Sequence, residues 1–259
     1  MTLEEFKVIF WWEFIHRLLG RLIGILYFVP LLYFTFKLGL KNILHLYLIF
    51  ILICFQGFIG WYMVSSGLVD RVDVSHYRLS LHLVLAFIIL SLVFWNYLSL
   101  QNIHLSFKKI NKKIPIIFML LIFLQICVGA FVSGMDAGKI YNSWPLMGSG
   151  FFPDDNSIQN LFYLSAFDDP SLVQFMHRNL AYLIFLFYIF IFIKVYKNRL
   201  TGLFTAINVS GFLLILQIIL GILTLLFGAQ IVIASMHQIS SIFLVSSSIY
   251  FLYLNNNSS

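Results

Sequence analysis

Charge is what this sequence has least of. Only 10% of its 259 residues are charged, while 61% are hydrophobic. Soluble domains carry roughly 25% charged residues, so a water-soluble fold is excluded and an all-α integral membrane protein is implied. Cysteine is nearly absent. Cys54 and Cys127 are the two, both inside apolar runs, so no disulfide can staple a loop and cysteine says nothing of redox compartment. Alternation of apolar and polar residues is missing as well. The apolar runs are long and continuous, which excludes a transmembrane β-barrel. Residues 1–12, MTLEEFKVIFWW, lack the basic region and cleavage site of a signal peptide.

A bilayer-spanning helix needs roughly 20 apolar residues. Seven stretches meet this: 14–36, 42–63, 80–100, 115–134, 176–195, 203–227 and 231–254. Acidic residues are missing from three of the connections. These hold Lys37 and Lys41, then Lys108, Lys109, Lys112 and Lys113, then Lys194, Lys197 and Arg199. The alternate connections are mixed, acidic or uncharged, and Asp136, Asp154, Asp155, Asp168 and Asp169 all fall between 135 and 175. The basic connections are therefore expected on the cytoplasmic side and the others outside. The excess of 16 basic over 10 acidic residues thus reports membrane topology, and no nucleic-acid partner is expected. The N-terminus falls outside and the C-terminus inside. An outside N-terminus without a signal peptide leads to the expectation of an eighth helix upstream, absent from this chain.

The chain repeats itself. Glu13-Phe14-Ile15-His16-Arg17 opens one apolar run and Gln174-Phe175-Met176-His177-Arg178 opens another. Forty residues after each histidine comes a Gln-x-x-x-Gly segment, Gln56 to Gly60 and Gln217 to Gly221, and one apolar run later another histidine, His82 and His237. A third such segment, Gln125 to Gly129, opens the second half. Its counterpart would lie on the expected upstream helix. The Gln-x-x-x-Gly segments read as close-packing elements.

Of the seven histidines, His45, His76 and His104 read as solvated or interfacial. His16, His82, His177 and His237 lie in the first turns of four apolar runs that share one direction, and so share one depth. Ionisable residues in a membrane are costly and are functional candidates. Two facing imidazole pairs suit iron, and haem in particular. Each of the four is followed four residues later by a small residue: Gly20, Ala86, Ala181 and Ser241. Positions i and i+4 share a helix face, so each histidine has clearance for a flat macrocycle. The alternative is polar glue between helix ends. Arg17, Arg21, Arg78 and Arg178 stand near these histidines and could fork onto haem propionates, or simply snorkel to the interface. No cysteine or carboxylate cluster completes a tetrahedral zinc site.

With these motifs in hand, the chain resembles the haem A synthases of the cysteine-poor, mitochondrial and proteobacterial type. The resemblance runs over nearly the whole chain: MTLEEFKVIFWWEFIHRLLGRLIG, the three Gln-x-x-x-Gly segments, DAGKIYNSWPLMG, LVQFMHRNLAY and the late MHQ, in that order. It implies eight transmembrane helices in two pseudo-symmetric four-helix bundles, of which residues 1–110 form the incomplete first and 111–259 the second. It implies a haem b cofactor between His177 and His237, and substrate haem O between His16 and His82. The reaction it implies is oxidation of the C8 methyl group of haem O to formyl, giving haem A for cytochrome oxidase assembly. It also implies a catalytic role for Glu13. The partners it implies are haem O synthase, an unidentified electron acceptor and membrane lipid, with a homo-oligomer left open. The location implied is the bacterial cytoplasmic membrane, or the mitochondrial inner membrane in a eukaryote, with haem sites toward the outer face.

Glu13 and Gln174 hold matching places, three residues before a histidine. A glutamate can accept a proton or stabilise positive charge, and a glutamine can do neither. The Glu half is therefore expected to do chemistry and the Gln half to hold a cofactor. An interfacial ion pair between Glu13 and Arg17 is the alternative, and the two are compatible. A non-catalytic di-haem electron carrier and a haem-delivery protein or transporter remain as other classes, though the first leaves the Glu/Gln difference unexplained. The second lacks broken helices at mid-membrane.

Overall fold

The computed structural model describes residues 2–67, 74–101 and 108–257; His104 lies outside them. Every long element is helical: α1 (Leu3–Leu38), α2 (Leu44–Gly67), α3 (His76–Leu100), α4 (Lys113–Gly134), α5 (Pro170–Lys197), α6 (Phe204–Leu226) and α7 (Ile231–Asn257). All seven are long and apolar enough to cross a membrane, and the chain is a multi-pass membrane protein. In a bilayer each backbone polar group must be satisfied within its own segment, which is why apolar runs of this length are helices.

Each helix matches the apolar run expected for it to within two residues or extends beyond it; only the expected runs 42–63 and 203–227 overrun their helices, by one or two residues. α5 begins at Pro170 rather than near 176, because Asp169 caps it. The Asp169 carboxylate accepts from the Leu172 amide at 3.0 Å, and Pro170 occupies the first turn, where its missing N–H costs nothing. α1 extends back to Leu3. The shared depth of the four histidines is therefore not a matter of first turns. His82, His177 and His237 stand about two turns into α3, α5 and α7, and His16 roughly three and a half turns into α1.

The chain divides into two compact units, residues 1–65 and 66–259. In the first, α1 and α2 meet at the end near their connection. Tyr27 donates to the Leu46 carbonyl at 3.1 Å, Thr35 and Tyr47 share a hydroxyl bond at 2.7 Å, and the Phe28 and Phe50 rings stack at 5.1 Å. Between histidine and connection, α1 is mostly exposed, as a lipid-facing helix is.

In the second unit, α4, α5, α6 and α7 form a four-helix bundle in which each helix packs on the next and α7 returns to α4. So α5 and α7 lie on one diagonal, and α4 and α6 on the other. α3 packs outside, against α4 and α7. The core fills one end of this bundle: Phe118 and Ile122 of α4, Ile184 and Ile191 of α5, Ala206, Ile207 and Leu214 of α6, and Val245, Ile249 and Phe251 of α7. Lipid is as apolar as these side chains, so close packing rather than escape from water holds the helices together. Small residues and back-bonded hydroxyls allow the approach. Ser210 donates to Ser247 at 3.1 Å across α6 and α7, and Tyr188 lies over Gly211 with its hydroxyl bonded to the Ile207 carbonyl at 3.1 Å. At the same end the Asn255 side chain makes two bonds with one residue 145 positions earlier. It accepts from the Ile110 amide at 2.9 Å and donates to the Ile110 carbonyl at 3.1 Å. The opposite end of the bundle is where the histidines are.

Candidate functional site

His177 and His237 project from the diagonal pair α5 and α7, above the packed core, and lie within electrostatic reach of each other. Each sits against the Gln-x-x-x-Gly segment of a neighbouring helix. On α4, the Gln125 amide nitrogen is 3.1 Å from the His177 carbonyl and 3.3 Å from the His177 Nε2. One turn further, a Cβ added to Gly129 would lie 3.0 Å from the His177 Cε1. On α6, the Gln217 amide donates to the His237 carbonyl at 3.0 Å, and a Cβ added to Gly221 would lie 3.1 Å from the His237 Cε1. The expectation that these segments serve close packing is thus incomplete. The glutamine grips the histidine backbone, and the glycine, four residues on and on the same face, makes room for the ring.

Two imidazoles on opposed helices are a donor set suited to a planar metal centre. The Nδ1 atom of each is buried and has no hydrogen-bond partner among the described residues. Buried polar atoms are normally paired, so a missing group is indicated. Imidazole nitrogens suit iron, and two of them from opposed helices suit the two axial positions of a haem. Four residues beyond each of these two histidines stands a small residue. Ala181 is small, and the Ser241 hydroxyl turns back onto the Gln238 carbonyl at 2.6 Å. Among the described residues no three His, Cys, Asp or Glu side chains gather as a metal site.

A long loop, residues 135–169, joins α4 to α5 beside this site. It is anchored by two residues that flank His177. Gln174, 3% exposed, donates its amide to the Tyr141 carbonyl at 3.0 Å. Arg178 spreads its terminal nitrogens over three loop carbonyls: Tyr141 at 2.9 Å, Ser143 at 2.9 Å and Leu146 at 3.3 Å. Asn142 ties the same segment to the end of α6 through the Leu225 carbonyl at 2.8 Å, and the Trp144 indole donates to the Tyr182 hydroxyl at 3.0 Å. Three of the loop's carboxylates are structural. Asp154 accepts from the Ser149 amide at 2.6 Å and hydroxyl at 2.7 Å, which holds its carboxyl below the usual range. Burial pushes Asp155 up, but hydrogen bonds from Ser171 at 2.6 Å and Tyr141 at 2.8 Å outweigh it and leave it depressed. Asp169 caps α5.

Sequence reasoning missed the anchoring by Gln174 and Arg178, since nothing in the spacing names a loop carbonyl as partner. Nor did it foresee the contacts of His76. This residue opens α3, is 14% exposed, packs its ring against Phe131, and lies 3.3 Å from an Asp168 oxygen.

The remaining site residues are placed separately. In the first unit, Glu13 pairs with Arg17 one turn on, and His16 and Arg21 are exposed on the same helix. Gly20 has open space around it. In the second unit, His82 and Arg78 are half-buried on α3, and Ala86 follows His82 by one turn.

The family model described as cytochrome oxidase assembly protein matches residues 1–249. The protein named heme A synthase in Pelagibacter ubique (strain HTCC1062) is 49% identical over 265 residues, covering 99% of this chain and 76% of the relative. The proteins of that name in Rickettsia bellii (strain OSU 85-389) and Rickettsia felis are 43% and 42% identical, covering 100% and 98% of this chain and 79% and 77% of theirs. A match of this extent, on a chain whose paired histidines are cradled in this way, is decisive: the chain belongs to the haem A synthase family.

Proposed function

We propose that this protein oxidises the C8 methyl group of haem O to a formyl group, giving haem A for cytochrome oxidase assembly. The observation that carries the reading is the diagonal pair His177 and His237, each held by a Gln-x-x-x-Gly segment, in a chain of this family. Residues 111–259 are assigned as the cofactor half, with haem b between His177 and His237. Residues 1–110 are assigned as the substrate half, in which His16 and His82 take haem O. Bound haem b supplies one-electron redox chemistry.

The chain's own residues have defined tasks in this scheme. The imidazoles of His177 and His237 offer neutral lone pairs and fix the cofactor across the bundle. Converting a methyl to a formyl group with oxygen from water releases four protons and four electrons. Glu13 is the assigned proton acceptor and stabiliser of positive charge at the reacting carbon. Arg17, Arg21 and Arg78 are assigned to propionates. For Arg178 the same role falls to Nε, its one nitrogen with no partner among the described residues, because its others hold the loop. The partners that follow are a haem O synthase as supplier and an electron acceptor of unidentified kind. The site faces the outer side of a bacterial cytoplasmic membrane, with the C-terminus inside.

A second reading, a non-catalytic carrier with two bis-histidine haems, gains from Gln174. Its amide is accounted for by the loop anchor, so the Glu/Gln difference alone does not demand chemistry at Glu13. One experiment separates the readings. The full-length protein is expressed with a source of haem O, and its haems are extracted and separated by chromatography. Haem A is expected. Bound haem b without haem A favours the carrier. In the same preparations His16→Ala should keep the haem b spectrum, and His177→Ala or His237→Ala should lose it. Retention in both latter variants overturns the cofactor assignment.

A further inference from the structure

Within the long loop, residues 157–167 form a finger whose two ends meet at the start of α5. The Asn156 amide donates to both oxygens of Asp169, at 3.3 and 3.2 Å, and Asp155 accepts from the Ser171 hydroxyl at 2.6 Å. Asn160 donates back to Asn156 at 3.1 Å, and two short 3-10 turns, Ile158–Phe162 and Leu164–Asp168, make up most of the rest. A loop of this length with joined ends is a compact unit. What it displays is the reverse of a water-facing loop. No charged residue occurs from 156 to 167. Phe162 and Leu164 are 84% and 85% exposed, and Ile158 and Tyr163 are exposed beside them. The carboxylates of Asp154, Asp155, Asp168 and Asp169 all stand at the base.

The depth of the finger follows from its return limb. Phe167 packs with Val173 of α5 and with Phe131 of α4, the two phenylalanine rings 6.1 Å apart. α4 has 22 residues, which at 1.5 Å each span about 33 Å, little more than the roughly 30 Å of bilayer hydrocarbon. Phe131 is three residues short of its last one, Gly134, and so lies near the surface of the hydrocarbon. Phe167 lies there with it. Leu164 opens the same 3-10 turn as Phe167, about 6 Å along it, a distance comparable with the headgroup layer, about 5–8 Å on each side.

We propose that this finger is an interfacial membrane anchor, its Ile158, Phe162, Tyr163 and Leu164 side chains seated among the headgroups and upper acyl chains of zwitterionic phospholipid beside α4 and α5. Aliphatic and aromatic side chains are what this region of a bilayer takes up, and Tyr163 can keep its hydroxyl at headgroup level. The carboxylates at the base limit how far the finger sinks, and being all of one sign they disfavour anionic lipid. A protein partner would have to displace lipid from a segment already at lipid depth. The loop that flanks His177 is thereby held twice, by Gln174 and Arg178 at one end and by lipid at the other.

Spin labels measure the depth. Full-length protein carrying Cys54→Ala and Cys127→Ala is placed in phosphatidylcholine nanodiscs and labelled at Ile158→Cys, Phe162→Cys or Leu164→Cys in turn. Collisions with oxygen, which concentrates in lipid, are compared with collisions with a water-soluble nickel chelate. Lys197→Cys, exposed at the end of α5, is the water reference, and Phe212→Cys, exposed on α6, the lipid reference. The oxygen-to-nickel ratio of the finger labels should lie above the first and below the second. A ratio equal to that of Lys197→Cys puts the finger in water and overturns the proposal. Shielding from both reagents means that protein covers the finger, and overturns it too. A second measurement needs no label and keeps both cysteines. Proteinase K cleavage within 157–167, mapped by mass spectrometry in the same nanodiscs, should be slow in the natural chain and faster in Phe162→Ser/Leu164→Ser, although serine is the poorer cleavage site. Both residues are exposed, so packing is spared. Equal rates overturn the anchor, and this result decides if the cysteine-free protein fails to fold.

Discussion

The side-chain amide of Gln174 donates to the main-chain carbonyl of Tyr141 over 3.0 Å, three residues before His177. The atom facing that carbonyl has to be a donor, which excludes a carboxylate at this place. The matching residue of the other half, Glu13, pairs instead with Arg17 on its own helix. The two positions are thus separated by what stands opposite them as well as by their chemistry.

Gln174→Glu should therefore loosen the loop. It would set a buried carboxylate against a carbonyl oxygen, a change of about 2–3 kcal/mol. Limited proteolysis of residues 135–169 should accelerate, and the thermal unfolding midpoint in detergent should fall. Unaltered proteolysis would mean that the other anchors, Arg178 and Asn142 among them, suffice to hold the loop.

Glu13→Gln should abolish haem A formation and leave bound haem b unchanged, because the substitution removes a proton acceptor from α1 and leaves His177 and His237 in place. Chromatography of extracted haems and the visible spectrum read the two effects separately. A normal haem A yield would reduce Glu13 to an interfacial partner of Arg17.

The seven helices were legible because an apolar run long enough to cross a bilayer has one backbone solution. Their ends were less so. Membrane length measures the apolar run, whereas the start of α5 is set by the Asp169 carboxylate and Pro170. The paired histidines of the second half were legible as well, through the repeat. What the glutamine and glycine beside them do was not. A glycine that packs on a helix and one that admits an imidazole have the same sequence, and differ only in which side chain a neighbouring helix presents. The contacts of His76 were hidden for a related reason, since Asp168 arrives from a loop far along the chain.

Gly211→Ala should destabilise the four-helix bundle. The new methyl would collide with the Tyr188 hydroxyl, and overpacking of this kind costs about 1–3 kcal/mol. Tyr188→Phe removes the nearest colliding atom and leaves the ring Cζ at 2.5 Å, so the double variant should recover part of the loss, with a coupling of about 1 kcal/mol. Thermal denaturation of the four proteins measures it. Additive effects would show that the two residues do not meet.

Acid should release the loop. Asp154 and Asp155 are both depressed from the ordinary value of 3.8. A carboxylate depressed on folding contributes stability that is complete above its unfolded pKa and is lost as pH falls through its folded one. The Ser149, Tyr141 and Ser171 bonds should therefore persist through pH 5 and fail below the ordinary carboxylate range. Proteolysis of residues 135–169, followed with an acid-active protease, should rise there, and in Asp155→Ala it should already be raised at pH 7.

The bond pair between Asn255 and Ile110 has a consequence in time. Asn255 is 1% exposed and imitates a backbone, answering both the amide and the carbonyl of one residue 145 positions earlier. During synthesis Ile110 leaves the ribosome long before its partner exists. The Ile110 amide and carbonyl wait for Asn255 until α7 has been threaded into the bilayer. The pair therefore acts as a latch, one that closes only once α7 stands beside α4.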